Sequence, residues 1–194
     1  MNGESNSYFS VKHSFSAYLV PWQEGQALPS DNELKALLPT GLKLISEVKA
    51  MEASCLLQLR NLDDEGRTVV DYLKLQSKKI DLVLQYVLEQ QSHEGEKCEG
   101  ESFGGSGVRL ICPSPLQVGR HYRLTLHIKE ALISLLCIAQ CVAASPIDAQ
   151  TGASGYLCAL EFSQILDEDV EQLVKASLNI QQKQLQERKK AKNA

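Results

Sequence analysis

The sequence lacks the features that mark several large classes of protein. It has no excess of positive charge, since 20 lysine and arginine residues stand against 24 aspartate and glutamate residues and the net charge is −4 at pH 7. Nucleic-acid binders usually present a basic surface, so we expect no nucleic-acid partner. No apolar run approaches the roughly 20 residues that a membrane-spanning helix needs. The segment 1–7 lacks the charged-then-apolar layout of a signal peptide, so the expected compartment is the cytoplasm.

Motifs for metal binding and catalysis are also absent from the sequence. The six cysteines are scattered without a CxxC pair or a His-Cys cluster at metal spacing, so buried, reduced thiols are expected. None of the four histidines belongs to a nucleophilic or metal-binding motif. The glycine-rich stretch 104–107 precedes a predicted strand, whereas a phosphate-binding loop joins a strand to a helix. We therefore expect no enzyme activity, no metal site and no cofactor.

The sequence does contain a long apolar stripe at helical spacing, from Leu59 to Gln90. Its members alternate by three and four residues over about four heptads, which predicts one heptad helix. With Leu59 at the first a position, the a and d residues are Leu59, Leu62, Gly66, Val69, Leu73, Gln76, Ile80, Val83, Val87 and Gln90. The positions beside them include Val70, Tyr72, Leu84 and Tyr86. This apolar face is too wide for a two-stranded coil.

The width of the stripe leaves two interpretations open. The β-branched residues Val69 and Val83 favour three or four strands, or a helix that contacts its own domain on one side and sister chains on the other. The alternative is an amphipathic helix buried within one subunit, and the acidic cluster 63–66 could break it. We predict self-association. The residues predicted at the oligomer interface are Leu73, Ile80, Val83 and Val87.

Predicted strands lie on both sides of this helical region. Alternating apolar and polar residues predict a first strand from Phe9 to Leu19. Further strands are predicted at 107–112, 121–128, 131–144 and 155–162. A helix follows from about Asp167, with an apolar stripe made by Val170, Leu173, Val174 and Leu178. The polar, glycine-rich stretch 92–107 is expected to hold no packed element.

These elements divide the chain into three segments. Segment 1–29 holds the first strand and a connection, 30–91 is a helical insertion with the heptad helix at 59–90, and 92–194 holds the remaining strands and the last helix. Consecutive antiparallel strands with a closing helix indicate a small β-barrel, because closure removes exposed strand edges. The predicted fold class is α+β.

Two stretches of the β region resemble the PilZ domain family. Residues 102–110 followed by 113–119 look like the family's D/N-x-S-x-x-G turn, apolar strand and Pro-x-x-x-Val-Gly turn. Residues 156–162 are similar to its late barrel strand, and 167–178 to its closing helix. A helical insertion with heptads is similar to an atypical subgroup described as tetrameric, in which such a helix assembles a parallel bundle. The resemblance implies a small antiparallel PilZ-like barrel and a long helical insertion that forms a coiled-coil bundle in a homotetramer.

PilZ domains are usually receptors for the bacterial second messenger cyclic di-GMP. The resemblance places such a ligand at Ser102, Gly104, Gly107 and Arg109. In the family, two arginines in an R-x-x-x-R arrangement stack on guanine and bind its edge and the phosphates. This chain has no arginine before Arg60 and no R-x-x-x-R anywhere. At the signature positions, Ser102 stands where the family has Asp or Asn, and Gly104 stands where the family has Ser. Only Gly107 matches the family's signature.

The missing contacts separate two candidate functions. Losing one charge-assisted pair costs on the order of 1.5 to 3 kcal/mol, so losing several weakens binding by roughly three orders of magnitude. We therefore predict a cytoplasmic signalling adaptor of the cyclic di-GMP pathway, oligomeric through its heptad helix, that docks an unidentified protein partner. The alternative is a genuine cyclic di-GMP receptor that regulates motility, adhesion or virulence through rebuilt contacts. The candidate residues for an anion site of that kind are Arg109, Arg120 and Arg123.

Overall fold

In the computed structural model, which describes residues 10–58, 64–90, 93–147 and 154–192, the chain folds as two units. The barrel unit consists of Met1–Leu34 and Glu94–Ala194, and the helical unit is Lys35–His93. All strands that the structure describes belong to the barrel unit.

Six antiparallel strands form one closed sheet in the described part of the barrel unit. They are β1 (Val11–Pro21), β2 (Glu96–Phe103), β3 (Gly107–Cys112), β4 (His121–Ile128), β5 (Ile133–Pro146) and β6 (Tyr156–Gln164). Their order around the barrel is β1-β2-β3-β6-β5-β4, and β4 pairs with β1 to complete the circle. Every strand therefore has a hydrogen-bonded neighbour on both sides, which removes the open edges. The predicted α+β fold with a small antiparallel barrel is confirmed.

Four helices are present among the described residues. They are α1 (Asp31–Leu37), α2 (Thr40–Gln58), α3 (Asp64–Gln90) and α4 (Asp167–Lys192). At the start of α1, the backbone amide and hydroxyl of Ser30 each donate a 2.8 Å hydrogen bond to the Glu33 carboxylate. This contact satisfies a backbone donor at the helix start, as in a capping box. The same two hydrogen bonds hold the pKa of Glu33 below its usual range.

The barrel is filled by alternate side chains of its strands, as the period of two predicts. On β4, for example, Leu124 and Leu126 are fully buried, and both belong to one core cluster with residues from all six strands. Five of the six cysteines are buried, as expected, and Cys55 is exposed. A hydrogen bond with Cys98, together with burial, raises the pKa of Cys112, and burial raises that of Cys137. A raised pKa disfavours the thiolate, which is the nucleophilic form of cysteine.

Strand β2 corrects the prediction that 92–107 holds no packed element. The strand pairs with β1 and β3, and its Cys98 and Phe103 are buried in the core. Gly100 lies within this strand, and the ring of Phe15 fills the space where a Cβ at this position would stand. The prediction was wrong because a glycine that makes room for an aromatic ring has the same sequence signal as a turn glycine.

Three other elements refine the predicted pattern. The long apolar stretch predicted at 131–144 is β5, one strand whose pairing with β6 is irregular after Ile138 and after Cys141. The heptad helix, predicted from Leu59, is described from the start of α3, and residues 59–63 lie outside the described residues. In α4 the buried stripe is rotated from the predicted one, since Leu178 is 40 % exposed whereas Ala176 and Ile180 are buried.

Strands β3 and β6 approach each other closely at Gly107. This residue pairs with Glu161, and a Cβ on it would overlap the backbone carbonyl oxygen of Leu160. Gly105, in the turn just before β3, likewise leaves room for Val174 of α4, whose Cγ2 lies 2.7 Å from the Cβ position. Neither glycine has a positive φ. Both are therefore needed for space, Gly107 next to a backbone and Gly105 next to a side chain, rather than for an unusual conformation.

Gly107→Ala is expected to lower the free energy of unfolding by about 3 kcal/mol, because backbone atoms cannot move aside as a side chain would. Urea denaturation measures the loss. Gly25→Ala is the matched control, since Gly25 has a φ of +78° and open space around its Cβ position, and should lose about 1 kcal/mol. Equal losses in the two variants would contradict the tight approach of β3 and β6.

The second half of α4 is attached to the barrel by polar contacts. Lys183 Nζ lies 2.5 Å from Glu130 Oε1, and the side-chain amide of Gln184 donates a 2.8 Å hydrogen bond to the Lys12 carbonyl. The hydrogen bond from Lys183 holds the pKa of Glu130 below its usual range, and that of Lys183 is raised in return. His13 Nδ1 lies 3.7 Å from the other carboxylate oxygen of Glu130.

Glu130→Gln is expected to lower the melting temperature slightly at pH 7, and by less as the pH falls below the ordinary pKa of a glutamate. A carboxylate whose pKa is depressed by folding stabilises the fold above its ordinary pKa, and this stability is lost as the pH falls through the folded value. The effect is small because the pair is partly exposed to solvent. Glu171→Gln is the control, since it makes the same substitution at a carboxylate that pairs with Lys175 within α4 rather than between α4 and the barrel. A loss for Glu130→Gln that persists unchanged at pH 3 would show that the ion pair is not its cause.

Candidate ligand-binding site

A surface cavity of about 430 Å³ lies beside the turn that joins β2 to β3. We call it the turn cavity. All four residues predicted to bind a ligand line it, namely Ser102, Gly104, Gly107 and Arg109. The structure thus brings the predicted residues together, and ligand binding by them stays a prediction.

Two backbone hydrogen bonds fix the turn at this cavity. The amide of Gly104 donates to the carbonyl of Gly107 at 3.0 Å, which closes the β2–β3 hairpin. The amide of Phe162 donates to the carbonyl of Ser106 at 2.9 Å, which attaches the hairpin to β6. In addition, Arg109 pairs with Ser102 on one side and with Ala159 on the other. The cavity wall is therefore built from regular, hydrogen-bonded strands rather than from a free loop.

The turn cavity is nearly neutral in charge. Of its lining residues that the structure describes, Arg109 and Glu161 alone are charged, and both are exposed. Ser102 is only 4 % exposed, so its hydroxyl offers little surface to a ligand. One guanidinium can make one forked contact with a phosphate or a guanine edge, and the neighbouring carboxylate repels the same phosphate.

Sequence reasoning missed Glu161 and Phe162 as lining residues of this cavity. The alternation along β6 signals that Leu160 and Glu161 point to opposite faces. It does not reveal that Glu161 lies opposite Gly107, because that register depends on the close approach of two strands far apart in sequence.

The three arginines proposed for a rebuilt anion site do not come together. Arg109 is on β3 and Arg123 is on β4, and two strands separate β3 from β4 in either direction around the barrel. Arg123 is paired with Glu94. Arg120 lines a different cavity, which shares no residue with the turn cavity. The suggestion that these three cations form one anion site is wrong.

A buried histidine–serine contact is the nearest approach to a catalytic pair within the described ranges. His127 Nδ1 lies 2.8 Å from the Ser134 hydroxyl, and His127 is buried against the ring of Tyr18. The contact ties the ring of His127 to β5 within the barrel unit. In the part of the chain that the structure describes, no three His, Cys, Asp or Glu side chains converge as a metal ion requires. No helix among those residues has the length and apolar character to cross a membrane.

The helical unit presents a second candidate surface on α3, where α2 and α3 contact each other. One side of α3 is half-buried, at Val70, Ser77, Asp81 and Leu84. An adjacent stripe, which we call the seam face, consists of Val69, Tyr72, Leu73, Ile80, Val83, Tyr86 and Val87, all between 46 and 65 % exposed. It includes all four residues predicted at an oligomer interface. Apolar side chains thus follow one side of the helix in water, which is typical of an interaction surface.

Comparison with known proteins identifies the architecture. No family model and no curated protein matches the chain. A solved structure from Xanthomonas campestris is similar over 93% of this chain and 91% of its own, with a TM-score of 0.54 and 15% sequence identity. That protein is described as pathogenic and as a tetrameric PilZ domain self-assembled via an unusual helical bundle.

Two further solved structures match the chain over about half its length. The inhibitor of motility MotI/DgrA from Bacillus subtilis matches 45% of this chain and 42% of its own, with 16% identity and a TM-score of 0.39. The PilZ domain of YcgR from Escherichia coli, solved with cyclic di-GMP, matches 51% of this chain and 79% of its own, with 14% identity and a TM-score of 0.40. The resemblance predicted from the sequence is confirmed at the level of structure: the chain has the fold of a PilZ domain with an added helical unit.

Proposed function

We propose that this chain is a non-catalytic signalling adaptor of the cyclic di-GMP pathway, a PilZ-type barrel that docks a protein partner and self-associates through the seam face of α3. In this proposal the barrel does not hold cyclic di-GMP tightly. The observation that carries it is the charge of the turn cavity, where Arg109 is balanced by Glu161 and no second cation lines the wall among the described residues.

The chemistry of cyclic di-GMP explains why this balance matters. The ligand has two phosphates, each with a negative charge, and two guanines, so a tight site needs several charge-assisted contacts. The turn cavity offers a single guanidinium. The buried hydroxyl of Ser102 and the carboxylate of Glu161 do not replace the missing contacts. Each lost contact of this kind costs on the order of 1.5 to 3 kcal/mol, so micromolar binding is not expected.

The alternative function is a cyclic di-GMP receptor. Its support is that Ser102, Gly104, Gly107 and Arg109 line one surface cavity. Gly107, the one signature residue that matches, has a packing role next to Leu160 that holds without any ligand. The match at Gly107 therefore supports the PilZ fold, and it argues neither for nor against ligand binding.

Calorimetric titration with cyclic di-GMP distinguishes the two functions. We expect no saturable heat at ligand concentrations up to about 100 μM, because the cavity lacks the second cation. A Kd near or below about 1 μM that is lost in Arg109→Ala and retained in Arg188→Ala would establish the receptor and overturn the adaptor. Arg188 is the matched control, since it is an exposed arginine on α4.

Self-association is proposed because exposing the apolar seam face to water is unfavourable in free energy. Burying the exposed half of a valine, leucine or isoleucine side chain recovers roughly 1 kcal/mol, and seven apolar side chains share this face. The half-buried side of α3 leaves the seam face available to sister chains. A tetramer is proposed because the similar Xanthomonas campestris protein is described as tetrameric through a helical bundle.

Sedimentation equilibrium of the full chain tests the oligomer. The expected mass is four times the 21.4 kDa of one chain. The double variant Ile80→Asp, Val87→Asp should sediment as a single chain, because two carboxylates would be buried at each seam. Lys78→Asp is the control with the same change in charge at an exposed position off the seam, and should keep the assembly. If the double variant has the mass of the wild type, the seam face does not hold chains together.

A further inference from the structure

Two opposite charges lie next to each other in the turn cavity without pairing. Arg109 of β3 and Glu161 of β6 both line this cavity, and both are exposed. Neither side chain makes a hydrogen bond or an ion pair with the part of the chain that the structure describes. The adaptor function uses their balance only to explain why cyclic di-GMP is not bound tightly. The two charged groups are therefore available to a different ligand.

The strand register explains why the two charges stay apart. In the pairing of β3 with β6, Gly107 lies opposite Glu161, and Arg109 lies opposite Ala159. The two charged residues thus occupy diagonal positions on one face of the sheet. Diagonal positions of an antiparallel pair are about 7–8 Å apart, and strand side chains stand roughly perpendicular to the sheet. Because an ion pair needs about 4 Å or less between nitrogen and oxygen, upright side chains leave a gap between the two charges.

The floor of this gap is low and firmly held. Gly107 and Ala159 occupy the other two corners, and theirs are the smallest side chains of any residues. The hairpin beside the floor is fixed by backbone hydrogen bonds, from the amide of Gly104 to Gly107 and from the amide of Phe162 to Ser106. The site is therefore formed before any ligand arrives, which lowers the cost of binding.

An apolar wall borders the same gap. Val142, Phe162 and Ile165 line the turn cavity together with the two charges. Val142 is 37 % exposed, and the pairing of β5 with β6 passes over it between Cys141 and Ala143. Phe162 and Ile165 are partly buried and pack against the barrel core. Apolar walls with a few placed polar groups are typical of sites for small molecules.

We propose that the turn cavity binds a free α-amino acid with an apolar side chain, with its carboxylate on Arg109 and its ammonium group on Glu161. Two charge-assisted hydrogen bonds of about 2.8 Å each span most of the gap, and the remainder fits a molecule that carries both charged groups on one carbon. The side chain of the ligand then lies on the apolar wall. The cavity volume of about 430 Å³ lies within the range of small-molecule sites.

The charge balance of the cavity selects this class of ligand. A zwitterion has no net charge, so the carboxylate of Glu161 attracts its ammonium group, whereas it repels a phosphate. A protein segment with one acidic and one basic residue offers the same two charges. Those charges are on separate flexible side chains, and ordering them costs conformational entropy that a free amino acid does not lose. The inference rests on the same charge balance as the adaptor function and adds a ligand to it.

Amide NMR of the full chain measures binding at the cavity. The chain is titrated at constant ionic strength with leucine and with three analogues: leucinamide lacks the carboxylate, N-acetylleucine lacks the ammonium group, and glycine lacks the apolar side chain. We expect leucine to shift the amide resonances of Gly104, Gly105 and Gly107 saturably, with a Kd of about 1 mM. Each analogue should bind roughly tenfold more weakly or worse, because each lacks one of the three contacts.

Two variants assign the charges of the ligand to the two residues. Glu161→Gln should bind leucine roughly tenfold more weakly and should no longer favour leucine over N-acetylleucine. Arg109→Gln should in the same way lose the preference for leucine over leucinamide. Both side chains are exposed, so neither change disturbs the core. Arg188→Gln and Glu171→Gln are the controls, since they remove the same charges from exposed positions on α4 and should leave the titration unchanged.

Four results would overturn the proposal. One is no saturable shift of the three glycines with leucine up to about 20 mM. Another is an analogue that binds the wild type as strongly as leucine does. The third is an unchanged order of ligand preference in Glu161→Gln and Arg109→Gln. The fourth is tighter binding of the peptide acetyl-Glu-Ala-Lys-amide, which would make a protein segment the occupant. The titration with cyclic di-GMP remains the separate test of the adaptor function.

Discussion

The structure depends on the close approach of β3 and β6 at Gly107. The carbonyl of Leu160 occupies the space that a side chain at Gly107 would need, so the two strands can pair only because this residue is glycine. That pairing closes the barrel between two strands far apart in sequence. It also sets the register that places Arg109 beside Ala159 and Glu161 opposite Gly107. This register brings Arg109 and Glu161 to the wall of the same cavity.

The same contact changes the meaning of the glycine-rich signature. A glycine before a strand is easily taken as part of a ligand-binding turn, yet here Gly105 and Gly107 make room for α4 and β6. Packing alone explains why these residues are glycine, so they carry no information about a nucleotide. What bears on nucleotide binding is the charge of the side chains around them. A surface with one guanidinium and one carboxylate is polar, and it is compatible with a protein partner as well as with a small ligand.

Much of the fold could be predicted from the sequence because it depends on local periodicity. The alternation along β4 and the apolar length of β5 predict their burial, and the heptad spacing predicts a helix whose seam residues are exposed in the single chain. Strand β2 was missed because Gly100 makes room for Phe15, a contact between segments 85 positions apart. The buried stripe of α4 contains Ala176 and Ile180 rather than Leu178, because the side of a helix that faces the core is set by the packing of the whole barrel and not by the apolar spacing alone.

The site was predictable only in part, for the same physical reason. The residues of one hairpin, Ser102 to Arg109, lie together because they are close in sequence. Glu161 joins the turn cavity through strand pairing that no short motif encodes. Charge balance across a cavity is a property of tertiary structure. In the proposed function, this balance is what separates an adaptor from a receptor.

The central claim is that the turn cavity does not bind a cyclic dinucleotide tightly. Amide NMR of the full chain tests this claim at the cavity itself. With cyclic di-GMP added to about 100 μM, the account predicts that the amide resonances of Gly104, Gly105 and Gly107 keep their positions. Saturable shifts confined to those glycines and to Arg109 would contradict it, because they would show the nucleotide bound where the second cation is missing.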